Sequence, residues 1–180
     1  PEIDAAQHYF EKALEADPDY ALAYTGISFV WTARQQMGLL IPSEATPKAK
    51  AAAQKALELD DTLAEVHYTW GIIKTWSDWD WEGGEQAFKR ALEINPNYAE
   101  ALVYYSNLLC YMDRLDEAQE MAERAMQLDP LNSIIQTISA CALAYLRRYD
   151  DVIERMQLAL QTSPNDPVAY NSLWETYYKK

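Results

Sequence analysis

The chain has 180 residues, 49% of them hydrophobic, and its 28 acidic residues against 15 basic ones give a formal net charge of −13. No apolar run approaches the length of about 20 residues that a membrane-spanning helix needs, and the negative charge disfavours contact with a nucleic-acid backbone. We therefore expect neither a membrane nor a nucleic acid as partner.

Two cysteines and two histidines are the residues from which a metal site would have to be built. Cys110 and Cys141 are far apart in the sequence and form no CxxC pair, and His8 and His67 share no ligand spacing with them. A structural zinc site needs four ligands, so we expect no metal and no cofactor. Free, largely buried thiols are the expected state of the cysteines, with a disulfide as the alternative. Free thiols and the lack of a leader sequence favour a cytoplasmic location.

Five related segments recur along the chain and define an internal repeat. Each ends at an anchor position, and the five anchors are Pro18, Asp61, Pro96, Pro130 and Pro164. Their successive separations are 43, 35, 34 and 34, which indicates a period of 34 with two insertions. An alanine stands five residues before every anchor and shares a helical face with other small residues, which lets a partner helix pack closely. The proline that follows in four of the five segments ends the helix.

The apolar periodicity predicts ten helices that pair as hairpins. In chain order they are expected near residues 3–16, 20–36, 47–59, 62–77, 81–94, 98–112, 116–128, 132–147, 150–162 and 166–179. Each hairpin would bury its apolar stripe by stacking on its neighbours. The chain is expected to open on a second helix and to close on a first helix, as a fragment of a longer protein.

The period, the small alanine positions and the closing proline resemble the tetratricopeptide repeat. The resemblance covers the whole chain and implies an all-α fold, a right-handed superhelix (α-solenoid) of stacked antiparallel helical hairpins. The expected segments of this single array, residues 1–180, are a half repeat with only a second helix (1–18), a repeat with a nine-residue insertion (19–61), three further repeats (62–96, 97–130, 131–164) and a half repeat with only a first helix (165–180). Asp61 replaces a closing proline, Lys74 occupies an expected apolar position, and Trp174 occupies an expected small one.

The first insertion lies before the third predicted helix. Thr46 is expected to cap that helix, with Pro47 at its first position. The preceding loop, residues 38–43, carries the aliphatic run Leu39, Leu40 and Ile41. These side chains are either a partner site or a plug that folds back over the edge of the groove. We favour the plug, because exposed apolar patches are costly in water.

The second insertion is a single residue within the segment SDWDWEGG, residues 77–84. The repeat register places Gly84 where the two helices of a hairpin cross, so we expect a close approach of helix to helix. A phosphate-binding loop would instead need a preceding strand and a following Lys with Ser or Thr, and neither is present. Trp79 and Trp81 are expected to clamp the turn.

The resemblance implies a concave groove lined by the first helix of each repeat. The expected groove residues are Phe29, Glu65, Thr69, Ile72, Trp76, Glu100, Tyr104, Asn107, Tyr111 and Tyr145. For Tyr111 and Tyr145, packing between adjacent hairpins is an equal alternative. No Lys or Arg is expected in the groove, whereas Glu65, Glu100 and Glu175 are acidic. The predicted partner is therefore a protein or peptide with apolar anchors and basic residues.

These features predict a protein interaction scaffold and no enzyme, because His8 and His67 are expected to be packing residues. The segments DWDW, LLIPSEATPKAKAAAQKALELD and RRYDDVIERMQLAL are similar to tetratricopeptide arrays C-terminal to effector domains in bacterial regulators. That resemblance implies the regulatory or sensor part of a larger bacterial signalling protein. The alternative is a spacer or a module that self-associates head to tail through its end helices. The expected end contacts are Phe10, Leu14, Leu173, Trp174 and Tyr177.

Overall fold

The structure, a computed structural model, describes residues 2–180, which form helices and connecting turns without a strand. The helices are α1 Glu2–Ala16, α2 Ala21–Gln36, α3 Pro42–Leu59, α4 Ala64–Ile72, α5 Trp81–Ile94, α6 Ala99–Tyr111, α7 Leu115–Leu128, α8 Ser133–Tyr145, α9 Tyr149–Thr162 and α10 Pro167–Lys179. The chain divides into two compact units that meet in sequence between Pro96 and Asn97. This division falls at a predicted repeat boundary, and the predicted all-α fold of helical hairpins is confirmed.

Unit 1 contains α1 to α5. The hairpins α2–α3 and α4–α5 pack on each other through α2, α3 and α4, and α1 packs on α2. The predicted alanine face is used as expected, because Ala49 and Ala53 are buried against Ile73 and the partly buried Trp31. A methyl group added to Gly26 would overlap the ring of Phe10, so α1 lies close to α2 at that point. Phe10 is therefore packed within unit 1 and does not stand at an open end.

Unit 2 contains the hairpins α6–α7 and α8–α9, followed by α10. Its α8 carries Gln136 and Ser139 at positions that are apolar in the other repeats, yet both are buried. Gln136 Nε2 donates to the carbonyl of Pro130 at 2.6 Å, and Arg155 Nη1 donates to Ser139 Oγ at 2.9 Å. Burial lowers the pKa of Arg155. Hydrogen bonds thus replace the lost water at Ser139 Oγ and Gln136 Nε2, whereas the buried Gln136 Oε1 has no hydrogen-bond partner among the described residues.

The third helix begins earlier than expected. Pro42, not Pro47, occupies the first turn of α3, and Pro47 lies inside the helix. The predicted cap at Thr46 is wrong, because its hydroxyl donates instead to Gln35 Oε1 of α2 at 2.9 Å. Proline removes one helical hydrogen bond at Pro47, and the carbonyl that loses it belongs to Ser43, an exposed residue.

The loop between α2 and α3 does not form the expected plug. Leu39 and Ile41 are 60% and 59% exposed, and Met37 beside them is exposed as well, whereas Leu40 is half-buried. Gly38 adopts a positive φ of 68°, which a glycine reaches without strain and which turns the chain out of α2. Leu39 and Ile41 are therefore exposed to solvent, and only Leu40 is partly covered.

The second insertion is absorbed inside a helix and not in the turn. Residues Ile73–Ser77 continue α4 as one π-helical turn, which widens the helix by the extra residue. A methyl group added to Gly84 would overlap Thr75 Oγ1 in that turn. The close approach of helix to helix at Gly84 is confirmed.

A helix cap and ion pairs stabilise the turn before α5. Trp79 is 73% exposed, so the predicted clamp is wrong for that residue. Asp80 caps α5 by accepting from the amide of Gly83 at 2.9 Å, and this bond, followed by the ion pair with Lys74, lowers its pKa. Lys74 contacts Asp80 at 3.0 Å and Asp78 at 3.7 Å, and Lys50 contacts Asp78 at 2.7 Å. The lysine at an expected apolar position therefore ties α4 to the turn.

One turn conformation recurs before α5, α7 and α9. Trp79, Asp113 and Arg147 have φ values of 56°, 59° and 57°, and each stands one repeat period after the one before it. A left-handed backbone costs a residue with a Cβ about 1–2 kcal/mol. The repeat thus places three residues other than glycine in a strained backbone conformation.

We expect Arg147→Gly to stabilise the chain by about 1 kcal/mol, because the relief of this strain exceeds the entropy that glycine adds to the unfolded chain. Urea unfolding followed by circular dichroism measures the change. Arg147→Ala is the matched control, since it removes the same side chain but keeps the Cβ. A gain of equal size in both variants would show that the backbone is not the cause.

Candidate partner-binding site

Unit 2 contains a cavity of about 560 Å³ between α6, α8 and α10. Its lining combines aromatic, amide, hydroxyl, thiol and carboxylate side chains with small apolar ones. The lining residues are Asn107, Tyr111, Thr137, Ile138, Ala140, Cys141, Ala144, Tyr145, Val168, Asn171, Ser172, Glu175 and Lys179. A volume of this size is within the range of about 300–1,000 Å³ that is typical of ligand pockets.

The lining is ordered by the repeat period. Residues one period apart occupy equivalent places on successive first helices, so they form rows across α6, α8 and α10. The polar row is Asn107, Cys141 and Glu175, and the second row is Tyr111, Tyr145 and Lys179. A bound segment that crosses the three helices would meet both rows.

The carboxylate of Glu175 has two neighbours on its own helix. Asn171 Nδ2 donates to Glu175 Oε1 at 3.1 Å, and Lys179 Nζ lies 3.5 Å from Oε2. Both members of the ion pair are about half exposed, where such pairs contribute little to stability. Lys179 also corrects the expectation that no basic residue would lie in the groove.

Both cysteines are free thiols, as expected. Burial, reinforced by the nearby Cys141, raises the pKa of Cys110 to about 12. The pKa of Cys141 is also raised, by burial first; a hydrogen bond with Asn107 lowers it and the charge of Glu175 raises it. Both residues are therefore protonated at neutral pH, and Cys141 presents a neutral polar surface to the cavity.

The two tyrosines of the second row are partly exposed. Tyr111 and Tyr145 are 42% and 49% exposed. Burial raises the pKa of Tyr145, and Tyr111, Cys110 and Cys141 raise it further, which places these groups near one another. Each of the two tyrosines is thus partly buried and partly exposed at the cavity.

The other expected groove residues are distributed differently. Glu100 and Tyr104, also in unit 2, are half-buried and lie outside the lining of this cavity. In unit 1, Phe29 and Glu65 are exposed, and Ile72 is half-buried. Two further residues of unit 1 pack within that unit. Thr69 is buried, and Trp76 makes an edge contact with Phe88, with 6.2 Å between the ring centroids. The structure therefore brings together Asn107, Tyr111 and Tyr145 of the predicted set.

Sequence reasoning expected Glu175 of α10 as an acidic groove residue but missed other lining residues of that helix. Asn171 and Lys179 stand one period after Thr137 and Tyr145. Applying the same period to the last helix would have found both residues.

His67 has a structural role within unit 1. Its Nε2 lies 2.7 Å from the carbonyl oxygen of Asp61, so the ring fastens the start of α4 to the preceding turn. Within residues 2–180, no three acidic, histidine or cysteine side chains are grouped so that they could hold a metal ion. The same residues include no helix that is long and apolar enough to cross a membrane.

Comparisons with known proteins agree with this architecture. Family models described as tetratricopeptide repeat match residues 2–20 and 79–140. The structure of TTC0263, a tetratricopeptide repeat protein of Thermus thermophilus, superposes with a TM-score of 0.75 at 17% identity, over 98% of this chain and 91% of that one. YrrB, described as a tetratricopeptide repeat protein with an unusual peptide-binding site, superposes with a TM-score of 0.59 at 23% identity, over 95% and 83%.

Two curated proteins show sequence similarity to part of the chain. The transcriptional regulator HilA of Salmonella typhimurium is 27% identical over 128 residues, which are 71% of this chain and 23% of HilA. The human protein O-mannosyl-transferase TMTC3 is 31% identical over 100 residues, which are 56% of this chain and 10% of TMTC3. The chain thus spans less than a quarter of either relative. In its repeat register, its helical hairpins and the segments that the family models match, the chain is similar to tetratricopeptide repeat proteins.

Proposed function

We propose that this chain is an interaction scaffold that binds a peptide segment of a partner protein in the cavity of unit 2. Proteins of this fold bind protein or peptide partners and are in general not enzymes. The observation that supports the site is the row of half-exposed tyrosines beside a polar row that includes Asn107 and Glu175. A few hot-spot residues dominate the binding energy at protein interfaces, and tyrosine is among the residue types enriched in them.

We expect the double substitution Tyr111→Ala/Tyr145→Ala to weaken peptide binding by about 30-fold or more, since loss of a hot spot costs about 2 kcal/mol or more. Peptides selected from a phage-displayed random library against the unmodified chain serve as probes. Their affinities are measured by fluorescence anisotropy for the unmodified chain and for the variant.

The matched control is Tyr9→Ala/Tyr20→Ala, which removes two exposed tyrosines from unit 1. It should leave the affinities unchanged, and circular dichroism should show equal helicity in all three proteins. Equal affinity of the unmodified chain and the Tyr111/Tyr145 variant would place binding elsewhere. A library that yields no binder would contradict the proposal.

We also propose that the array works as the regulatory part of a larger bacterial regulator in the cytoplasm. The similarity to HilA, a transcriptional regulator, over 71% of the chain supports the first part of this proposal. Two free and protonated thiols suit a reducing compartment. Co-purification of the peptide partner with the full-length parent protein tests the regulatory role, and a parent that lacks an effector domain would contradict it.

A second candidate function is self-association through α10. Its outer face exposes a stripe of aromatic side chains, Tyr170, Trp174, Tyr177 and Tyr178, with Trp174 stacked on Tyr178 at 6.3 Å. Leu173 packs instead against the core of unit 2, and Leu14 is half-buried in α1. Such an aromatic stripe is the kind of surface that usually marks an interface.

For this second candidate we expect sedimentation equilibrium to show a mass that rises with concentration. Trp174→Glu/Tyr178→Glu should return the chain to a monomer, whereas Tyr9→Glu on α1 tests whether the contact is head to tail. A monomer mass for the unmodified chain at every concentration would rule out self-association.

A further inference from the structure

We propose that the cavity of unit 2 takes an arginine side chain of the bound segment, with its guanidinium group between the tyrosine row and the carboxylate of Glu175. This inference rests on the proposed function, and it names the partner chemistry at one position. It is argued from three observations: an acidic group in the lining, two partly exposed tyrosines beside it, and the negative net charge of the whole chain.

Glu175 has room for a second cationic partner. An ionised carboxylate offers about four acceptor positions, and Asn171 and Lys179 account for two of them. The contact with Lys179 is long, at 3.5 Å, and half exposed. A guanidinium group can therefore bind the carboxylate through two parallel donors without displacing Asn171.

The tyrosines favour arginine over lysine. Guanidinium is planar and weakly hydrated, so it stacks on an aromatic face while its edge binds a carboxylate. Tyr111 and Tyr145 both line the cavity and are partly exposed there. An ammonium group would have to give up more of its hydration to enter.

The electrostatic environment of the cavity also favours a cationic side chain. The charge of Glu175 reaches across the lining, because it contributes to the raised pKa of Cys141 on α8. The chain as a whole carries a net charge of −13, which concentrates cations near its surface. The single basic residue among the lining residues, Lys179, is already paired with Glu175.

The test compares two capped amino acids whose side chains differ by one positive charge. N-acetyl-arginine amide and N-acetyl-citrulline amide are titrated into the full chain, and nuclear magnetic resonance follows the signals of Asn107, Tyr111, Tyr145 and Glu175. We expect saturable shifts with arginine and binding that is about tenfold weaker, or weaker still, with citrulline, because a charge-assisted hydrogen bond is lost.

Two substitutions test whether the preference for arginine depends on Glu175. Glu175→Gln should remove the preference for arginine, whereas Glu154→Gln, at an exposed position of α9 outside the cavity, should leave it intact. Equal binding of the two probes, or no saturable binding of either, would overturn the proposal. Selected peptides that contain no arginine but still depend on Tyr111 and Tyr145 would also overturn it, and they would leave the proposed function standing.

Discussion

Phe88→Ala is expected to destabilise the chain by about 3–5 kcal/mol, because the substitution empties the centre of the α4–α5 hairpin. Phe88 is fully buried. The centroid of its ring lies 6.4 Å from the ring centroid of Tyr68 and 6.2 Å from that of Trp76. A Cβ on Gly71 would meet the ring at 2.9 Å, so the facing helix lies directly against it. Helices held this closely cannot collapse fully into the space that the ring leaves.

Urea unfolding followed by circular dichroism measures this loss, and Phe29→Ala is the matched control. Phe29 is the same residue type in the same unit, but about half of its surface is exposed. We expect its removal to cost no more than about 1 kcal/mol. Losses of similar size for both variants would contradict the assignment of Phe88 as the centre of the hairpin.

Gly84→Ala is expected to destabilise the chain by about 1–3 kcal/mol through overpacking, although alanine favours the helix by about 1 kcal/mol. The added methyl group would overlap Thr75 Oγ1. That hydroxyl is buried and has no hydrogen-bond partner among the described residues. Thr75→Ala removes the obstacle together with a polar group that gains nothing from its position.

A double-mutant cycle separates these effects. In the Thr75→Ala background, we expect Gly84→Ala to cost little or to stabilise the chain, with a coupling energy of about 1–2 kcal/mol between the two positions. Unfolding free energies of the four proteins give this coupling directly. If the two substitutions are additive, the contact between α5 and the π-helical turn is not the reason for a glycine at this position.

The fold could be predicted from the sequence because several independent signals repeat with one period. The anchors, the alanine face and the apolar stripe all recur with the same spacing, so an error in one repeat is corrected by the others. The two insertions lack this redundancy. Both Pro42 and Pro47 suit the first turn of a helix, and counting residues shows that one is added before Gly84 without showing whether a turn or a helix absorbs it.

The candidate site was predictable in part. Asn107, Tyr111 and Tyr145 follow from the expected groove face of α6 and α8. How far each ring is buried could not be read from the sequence, because packing between hairpins and exposure in a groove require the same aromatic residues at the same spacing. The Lys179–Glu175 pair also depends on how the side chains of α10 settle, which a helical period does not determine.

Photo-cross-linking tests the central claim, binding in the cavity of unit 2, most directly. Benzoylphenylalanine replaces either Tyr145, at the cavity, or Tyr178, on the outer face of α10; both side chains are exposed in the unmodified chain. After irradiation with a selected peptide, we predict an adduct at position 145 and none at position 178. An adduct at position 178 alone, or at neither position while the peptide still binds, would contradict the proposed site.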